Sequence, residues 1–336
     1  MPLVPMKQVL DEARKGAYGV GAYNVNNMEQ IQALMQGASE TETPIILQAS
    51  KGALEYSKMI YLKYLIQAAV EDNPEIPVVC HLDHGPNLDV CKQAIGLGFT
   101  SVMIDGSIDY AKKDENGAHP ARSFEENIAV TKEVVDYAHP LGVSVEGELG
   151  TLGGIEDDTQ AASVHLTDPD QVKEFVAETG VDALAIAIGT SHGAYKFKEA
   201  PTLALDLIPR IREKAGDTAL VMHGSSSVPQ DLVATINRFG GAMKKSMGVP
   251  MDQIQEAVKL GVQKINVDTD GRLAFTGNIR KYLFEHPEVF DQRKYLGAGR
   301  EGIYEVMKQK MIDFGTAGHA GDYEPATLED AKAWYN

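Results

Sequence analysis

Short β-branched runs alternate with helix-forming stretches along nearly the whole chain, and this alternation restricts the fold more than any other feature. Residues 20–25, 45–49, 78–83, 101–105, 144–149, 183–188, 219–223 and 264–268 read as strands. Helical periodicity fills 28–39, 58–71, 88–95, 123–139, 169–179, 203–214 and 229–238 between them. Eight strands, each followed by a helix, predict an α/β chain folded as a (β/α)8 barrel, with a doubly wound open sheet as the alternative. The placement of polar residues favours the barrel. Asn24, Asp83, Asp105, Glu148, His223 and Asp268 fall at or near the carboxyl ends of their strands, the rim on which such barrels build their sites.

Three irregular stretches, 107–122, 151–166 and 189–199, each follow a strand and would crowd that same mouth. After Gly271 the chain turns helical, through 299–314 and 328–335. The expected organisation is one barrel domain over 1–336, with 272–336 forming a helical C-terminal arm.

A chain of 336 residues with 43% hydrophobic content can bury a large core. No apolar run is long enough to span a bilayer, and residues 1–7 lack the basic-then-apolar layout of a secretory signal. The two cysteines, Cys80 and Cys91, cannot build a disulfide framework, so a reducing cytoplasm is the expected compartment. A net charge of −17 repels phosphate backbones and anionic headgroups, which excludes nucleic acid and membrane as partners. An anionic small substrate would need local donors that work against this global field.

The densest chemistry lies at the end of the third strand, in His81-Leu82-Asp83-His84-Gly85. Strand alternation puts His81 and Asp83 on one face, with His84 at the opening of the loop. A neutral imidazole there can bind an ion while the adjacent carboxylate moves a proton. A hydrogen-bonded core histidine beside a capping aspartate would look the same. His192, after the sixth strand, and His223, ending the seventh, repeat the placement of His84, each followed by glycine. They read either as three imidazoles with an open fourth position, the ligand set of a catalytic zinc, or as unrelated rim histidines with glycine as ordinary turn punctuation.

The fifth strand carries Glu146 and Glu148 two residues apart on one face, close to Asp105 on the neighbouring strand. They offer hard ligands, partners for the zinc histidines, or an inward salt-bridge layer. Gly153-Gly154-Ile155-Glu156-Asp157-Asp158 reads as a glycine-hinged acidic flap or as a solvated loop. Gly193 with Lys196, Gly224-Ser225-Ser226, and Asn266-Val267-Asp268-Thr269 offer amides, hydroxyls and an ammonium at the loops where such barrels hold phosphate. Arg272 and Arg293 are either further anion donors or ordinary surface arginines.

His81-Leu82-Asp83-His84-Gly85 and the stretch from Val145 to Glu156 resemble the two signature segments of class II fructose-bisphosphate aldolases. Ordered matches continue through Tyr23-Asn24-Val25-Asn26, Gln48-Ala49-Ser50, Gly189 to Gly193, His223 to Ser226 and Asn266 to Asp270, covering about residues 3 to 314. The resemblance implies a (β/α)8 barrel that assembles as a homodimer or homotetramer. It also implies zinc-dependent, reversible aldol cleavage of fructose 1,6-bisphosphate, the step shared by glycolysis and gluconeogenesis. By the same resemblance, His84, His192 and His223 would hold the zinc, and Asp105 and Glu148 would attend an inward, alternative metal position. Asp83 would act on the C4 hydroxyl proton, Glu156 on the C3 proton, and Asn24 and Asn266 would donate to the enediolate. Ser50, Gly193, Lys196, Gly224, Ser225, Asp268 and Thr269 would bind substrate. Arg272, reaching in from a neighbouring subunit, and Arg293 would meet the far phosphate. A second divalent ion and a monovalent cation near the phosphate are further implications. The rivals are a tagatose-1,6-bisphosphate aldolase, a Schiff-base aldolase using Lys196 or Lys264, and a catalytically silent metal-binding barrel.

Overall fold

The computed structural model describes residues 3–155 and 159–336. Its eight strands are β1 (Val20–Asn24), β2 (Ile45–Ser50), β3 (Val78–Gly85), β4 (Ser101–Ile104), β5 (Ser144–Leu149), β6 (Ala183–Ile186), β7 (Ala219–Met222) and β8 (Lys264–Val267). All pair in parallel in sequence order, and β8 returns to β1 to close the barrel. The open-sheet alternative is thereby excluded.

The helices are α1 (Met6–Gly16), α2 (Met28–Glu40), α3 (Lys51–Ser57), α4 (Met59–Asp72), α5 (Leu88–Gly96), α6 (Phe124–Ala138), α7 (Pro169–Thr179), α8 (Leu207–Ala215), α9 (Gln230–Arg238), α10 (Met251–Leu260), α11 (Thr269–Glu285), α12 (Gln292–Asp313) and α13 (Leu328–Ala331). Local chemistry sets several starts. Asn27 and Asn87 accept from amides of the first turns of α2 and α5, and Ser123 with Glu126 closes a capping box on α6. Three helices, α1, α3 and α10, stand where the sequence reading has none. The apolar spacing of Met6, Val9, Leu10 and Ala13 was the available signal for α1.

Alternation along the strands sorts the barrel into two apolar layers. Val78, Cys80 and Leu82 point outward into the shell beneath the helices, while Val79 joins an inner cluster with Ala22, Ile46, Met103, Ala183 and Val221. Helix α1 plugs the floor of that inner cluster with Met6, Val9, Leu10 and Ala13. The same period of two aims His81 and Asp83 inward from β3, Glu146 and Glu148 from β5, and Lys264 and Asn266 from β8. The upper barrel is therefore polar and the lower barrel apolar.

Helix α11 begins at Thr269, ahead of Gly271, and α12 extends well beyond the 299–314 expectation. Ala274 of α11 and Ile303, Met307 and Met311 of α12 belong to the outer apolar shell. Helix α12 is tied to α2 by Tyr304, whose hydroxyl donates to Glu40 at 2.6 Å.

One buried ion pair joins this C-terminal part to the rim. The Asp270 carboxylate lies 2.7 Å from Nζ of Lys310 and accepts from the amides of Ser227 and Val228, both at 2.8 Å. Burial pushes the Asp270 carboxyl up, but Lys310 and those amides outweigh it and hold it below its ordinary value. The clamp also secures Val228 at φ 49°, a left-handed conformation that costs a β-branched residue about 1–3 kcal/mol. Asp270→Asn orphans the buried ammonium, and a loss of about 3–5 kcal/mol at pH 7 is expected from urea unfolding. Because the folded carboxyl titrates below the unfolded one, its stabilisation is present above about pH 4 and fades as the pH falls further. The gap between wild type and variant is expected to narrow there; a gap independent of pH would contradict the assignment.

Candidate active site

His84, His192 and His223 come from the rims of β3, β6 and β7, and their ligating nitrogens lie within 4.8 Å of one another. Nδ1 of His223 stands 2.9 Å from Nε2 of His84, and the rings of His84 and His192 meet edge-on at 4.9 Å. The backbone reaches this geometry through local distortion. His84 has φ 51°, and the register between β3 and β4 shifts between Leu82 and Gly85. A non-glycine residue in the left-handed region just after a catalytic-type carboxylate is the kind of strain that functional sites hold.

The electrostatics suit a cation. Burial, reinforced by His84, His223 and Lys196, holds His192 well below its ordinary pKa. Burial likewise lowers His223. Both shifts favour the neutral imidazole that a metal ligand must be. Nε2 of His192 and Oε2 of Glu148 are buried without a hydrogen-bond partner, a cost that an ion would relieve. A second group, His84, Asp105 and Glu148, lies within the same reach. Burial, then the charge of Asp105, pushes Glu148 well above the carboxylate range, so it would release a proton on binding a cation. The donor set at both positions fits a divalent ion.

Asp83 is 2% exposed, and three side-chain amides reach it. Gln48 and Asn266 donate to its two oxygens at 3.0 and 3.2 Å, and Asn24 approaches at 3.4 Å. Burial alone would raise its pKa; His84, His223 and Lys264 outweigh that and keep it ionised. Gln48 escaped the sequence reading as a site residue, although a glutamine within an apolar strand was a visible signal. Ser50 pairs in register with Asp83 and caps α3 through its hydroxyl.

A narrow cleft leads from the histidines past Gly193, Lys196, Gly224, Ser226, Asp268 and Thr269. Ser225, expected there as a donor, turns its hydroxyl onto the carbonyls of Met222 and His223, while Ser226 lines the cleft. Gly224, at φ 62°, packs its backbone against Ser191, and a Cβ there would sit 2.6 Å from the Ser191 carbonyl oxygen. Arg272 pairs with Asp268 at 2.7 Å and borders an adjoining cavity of about 420 Å³. Arg293 binds Asp291 on the surface and is not brought to the site within this chain. A further cavity of about 480 Å³ opens onto Asp105, Glu148, His84 and His192. Glu156 lies outside the described residues. Among the other histidines, His119 is buried against Tyr110.

The Schiff-base rival loses one candidate amine. Lys264 is fully buried in an ion pair with Glu146 at 2.8 Å, where a nucleophile would need a neutral amine open to substrate.

The family model for fructose-bisphosphate aldolase class-II matches residues 4–319. The chain belongs to that family. It is accordingly a carbon–carbon lyase, which sets aside the silent barrel, and its substrate is a sugar phosphate. It is similar to a fructose-bisphosphate aldolase of Giardia intestinalis, at 57% identity with all of both chains covered. A plasmid-borne fructose-bisphosphate aldolase of Cupriavidus necator is 49% identical, again over all of both chains. Among solved structures, the YdjI aldolase of Escherichia coli K12 superposes with a TM-score of 0.72 at 28% identity, covering 95% of this chain and 100% of its own. Among the described residues, no helix is long and apolar enough to cross a membrane.

Gly224→Ala should drive the His192 and His223 loops apart, since the added methyl meets Ser191 backbone at a left-handed position. The expected outcome is a purified, folded variant that retains less than about a tenth of the wild-type bound metal, measured by atomic emission, as expected when a ligand is displaced. Full metal occupancy would show that the loops tolerate the change.

Proposed function

We propose that this chain catalyses the reversible aldol cleavage of D-fructose 1,6-bisphosphate to dihydroxyacetone phosphate and D-glyceraldehyde 3-phosphate, with zinc held by His84, His192 and His223. The observation that carries the reading is the position of Asp83: an ionised, buried carboxylate one residue from a ligand histidine, with its oxygens oriented by three amides. That carboxylate removes the C4 hydroxyl proton; the O–H pair left on oxygen forms the aldehyde carbonyl, and the C3–C4 pair passes to the ketone fragment. Zinc, when bound, supplies electrophilic stabilisation for the negative charge left on that fragment. Asn24 and Asn266 donate to it, and Glu156 returns the proton at C3. Gly193, Lys196, Gly224, Asp268 and Thr269 bind the ketose-side phosphate, with the Ser225-Ser226 turn beside them. Ser50 also binds substrate, and Arg272, from a neighbouring subunit, meets the far phosphate. Asp105 and Glu148 attend an inward metal position, and a monovalent cation accompanies the phosphate. The enzyme acts in the cytoplasm as a homodimer or homotetramer. Each copy is one barrel domain with 272–336 as its helical arm.

Asp83→Ala is expected to lower kcat by about 10²–10⁴-fold while zinc content stays at the wild-type level. Unchanged turnover would remove Asp83 from the chemistry. The epimeric sugar provides the second test: kcat/KM for fructose 1,6-bisphosphate should exceed that for tagatose 1,6-bisphosphate, and the reverse order would reassign the substrate.

A further inference from the structure

Glu146 is completely buried on the inner face of β5, and its two oxygens serve different partners. Oε2 lies 2.8 Å from Nζ of Lys264, an ion pair that neutralises a charge far from water. Oε1 lies 2.7 Å from Nε2 of His223. Charge balance for Lys264 explains the first contact and gives no reason for the second. His223 has its other nitrogen, Nδ1, directed at the histidine triangle, 2.9 Å from Nε2 of His84. An Nε2–H that donates to a carboxylate leaves Nδ1 as a bare lone pair on the triangle side.

Other neighbours do not make that choice. The amide nitrogen of Asn266 is 3.2 Å from Nδ1 and 3.3 Å from Nε2, so it does not distinguish them. Beyond Lys264, His81 and Ser101 continue the buried chain: Nε2 of His81 is 3.4 Å from Nζ, and its Nδ1 is 2.8 Å from the Ser101 hydroxyl.

We propose that Glu146 is a positioning residue for the metal site, fixing His223 in the tautomer whose Nδ1 faces the ion, with Lys264 as the counter-ion that holds Glu146 in place. This rests on the reading of the three histidines as the zinc site. A carboxylate behind a ligand histidine sets ring orientation and ligand basicity, and its loss typically weakens metal binding 10–100-fold.

The test is zinc affinity of the full chain, measured by competition with a chromophoric chelator, together with the visible spectrum of the cobalt-substituted protein. Glu146→Leu combined with Lys264→Met removes both charges at once, so that neither is left buried alone. About 10–100-fold weaker zinc binding and an altered cobalt spectrum are expected from a folded double variant. Wild-type affinity and spectrum in that variant would overturn the proposal and reduce Glu146 to a partner for Lys264. Should the double variant not fold, Glu146→Gln carries the test, because it keeps an acceptor but loses the charge. Several-fold weaker zinc binding supports the proposal, and undiminished binding overturns it. Wild-type protein that binds no zinc would instead sink the metal reading itself, a distinct result in the same assay.

Discussion

Closure of the parallel barrel is the constraint from which everything at the site descends. Eight strands running the same way put all their carboxyl ends on one rim, and the period of two sends alternate side chains toward the axis. Residues as distant in sequence as Asp83 and Asn266 therefore become neighbours without any specific long-range signal beyond strand pairing. The apolar cluster of α1 with the lower strand positions closes the barrel from below. The polar upper layer is thus enclosed on every side but the mouth.

Enclosure is what gives the charges their effect. Two glutamates, a lysine and four histidines share the inner face of β3, β5 and β8 and the adjoining rim, in a molecule whose overall charge is −17. In such surroundings each group must be paired or neutral. Lys264 neutralises Glu146; burial, with Lys264 nearby, brings His81 down to about 3, leaving it neutral; Glu148 keeps its proton. What remains unmatched is a triangle of imidazoles, two of them held toward the neutral form, and an ionised Asp83, donors that attract a cation and leave a base beside it. The neighbouring Asp270–Lys310 clamp performs a similar balance at the start of α11, and there the product is structural: it pins the turn that carries Ser226 and Val228.

The resemblance in the motifs and the geometry of the site point to the same residues by different routes. Motif spacing marks His84, His192 and His223 because each sits at a strand end before glycine. Coordinates mark them because their nitrogens converge and one, on His192, has no partner. Gln48 shows the limit of the first route. It lies inside an apolar strand, away from any loop, and its role appears only once its amide is seen on Asp83.

Residue pattern alone favoured the barrel over an open sheet and determined the inward face of each strand and the rim on which the histidines gather, because period and strand order are local properties of a chain; closure of β8 onto β1 was the structure's to decide. It also carried the resemblance through both signature segments. Helices α1, α3 and α10 were locally encoded but short or outside the alternation, which is why the pattern passed over them. Only the tertiary structure decided which hydroxyl of Ser225 and Ser226 faces the cleft, that Arg293 stays with Asp291 on the surface, and that α12 packs into the outer shell. It alone chose between the readings left open for Glu146, making it both the partner of Lys264 and the neighbour of His223. Those outcomes depend on distances between strands far apart in sequence and on which of two atoms within a side chain points where. Neither is written in spacing.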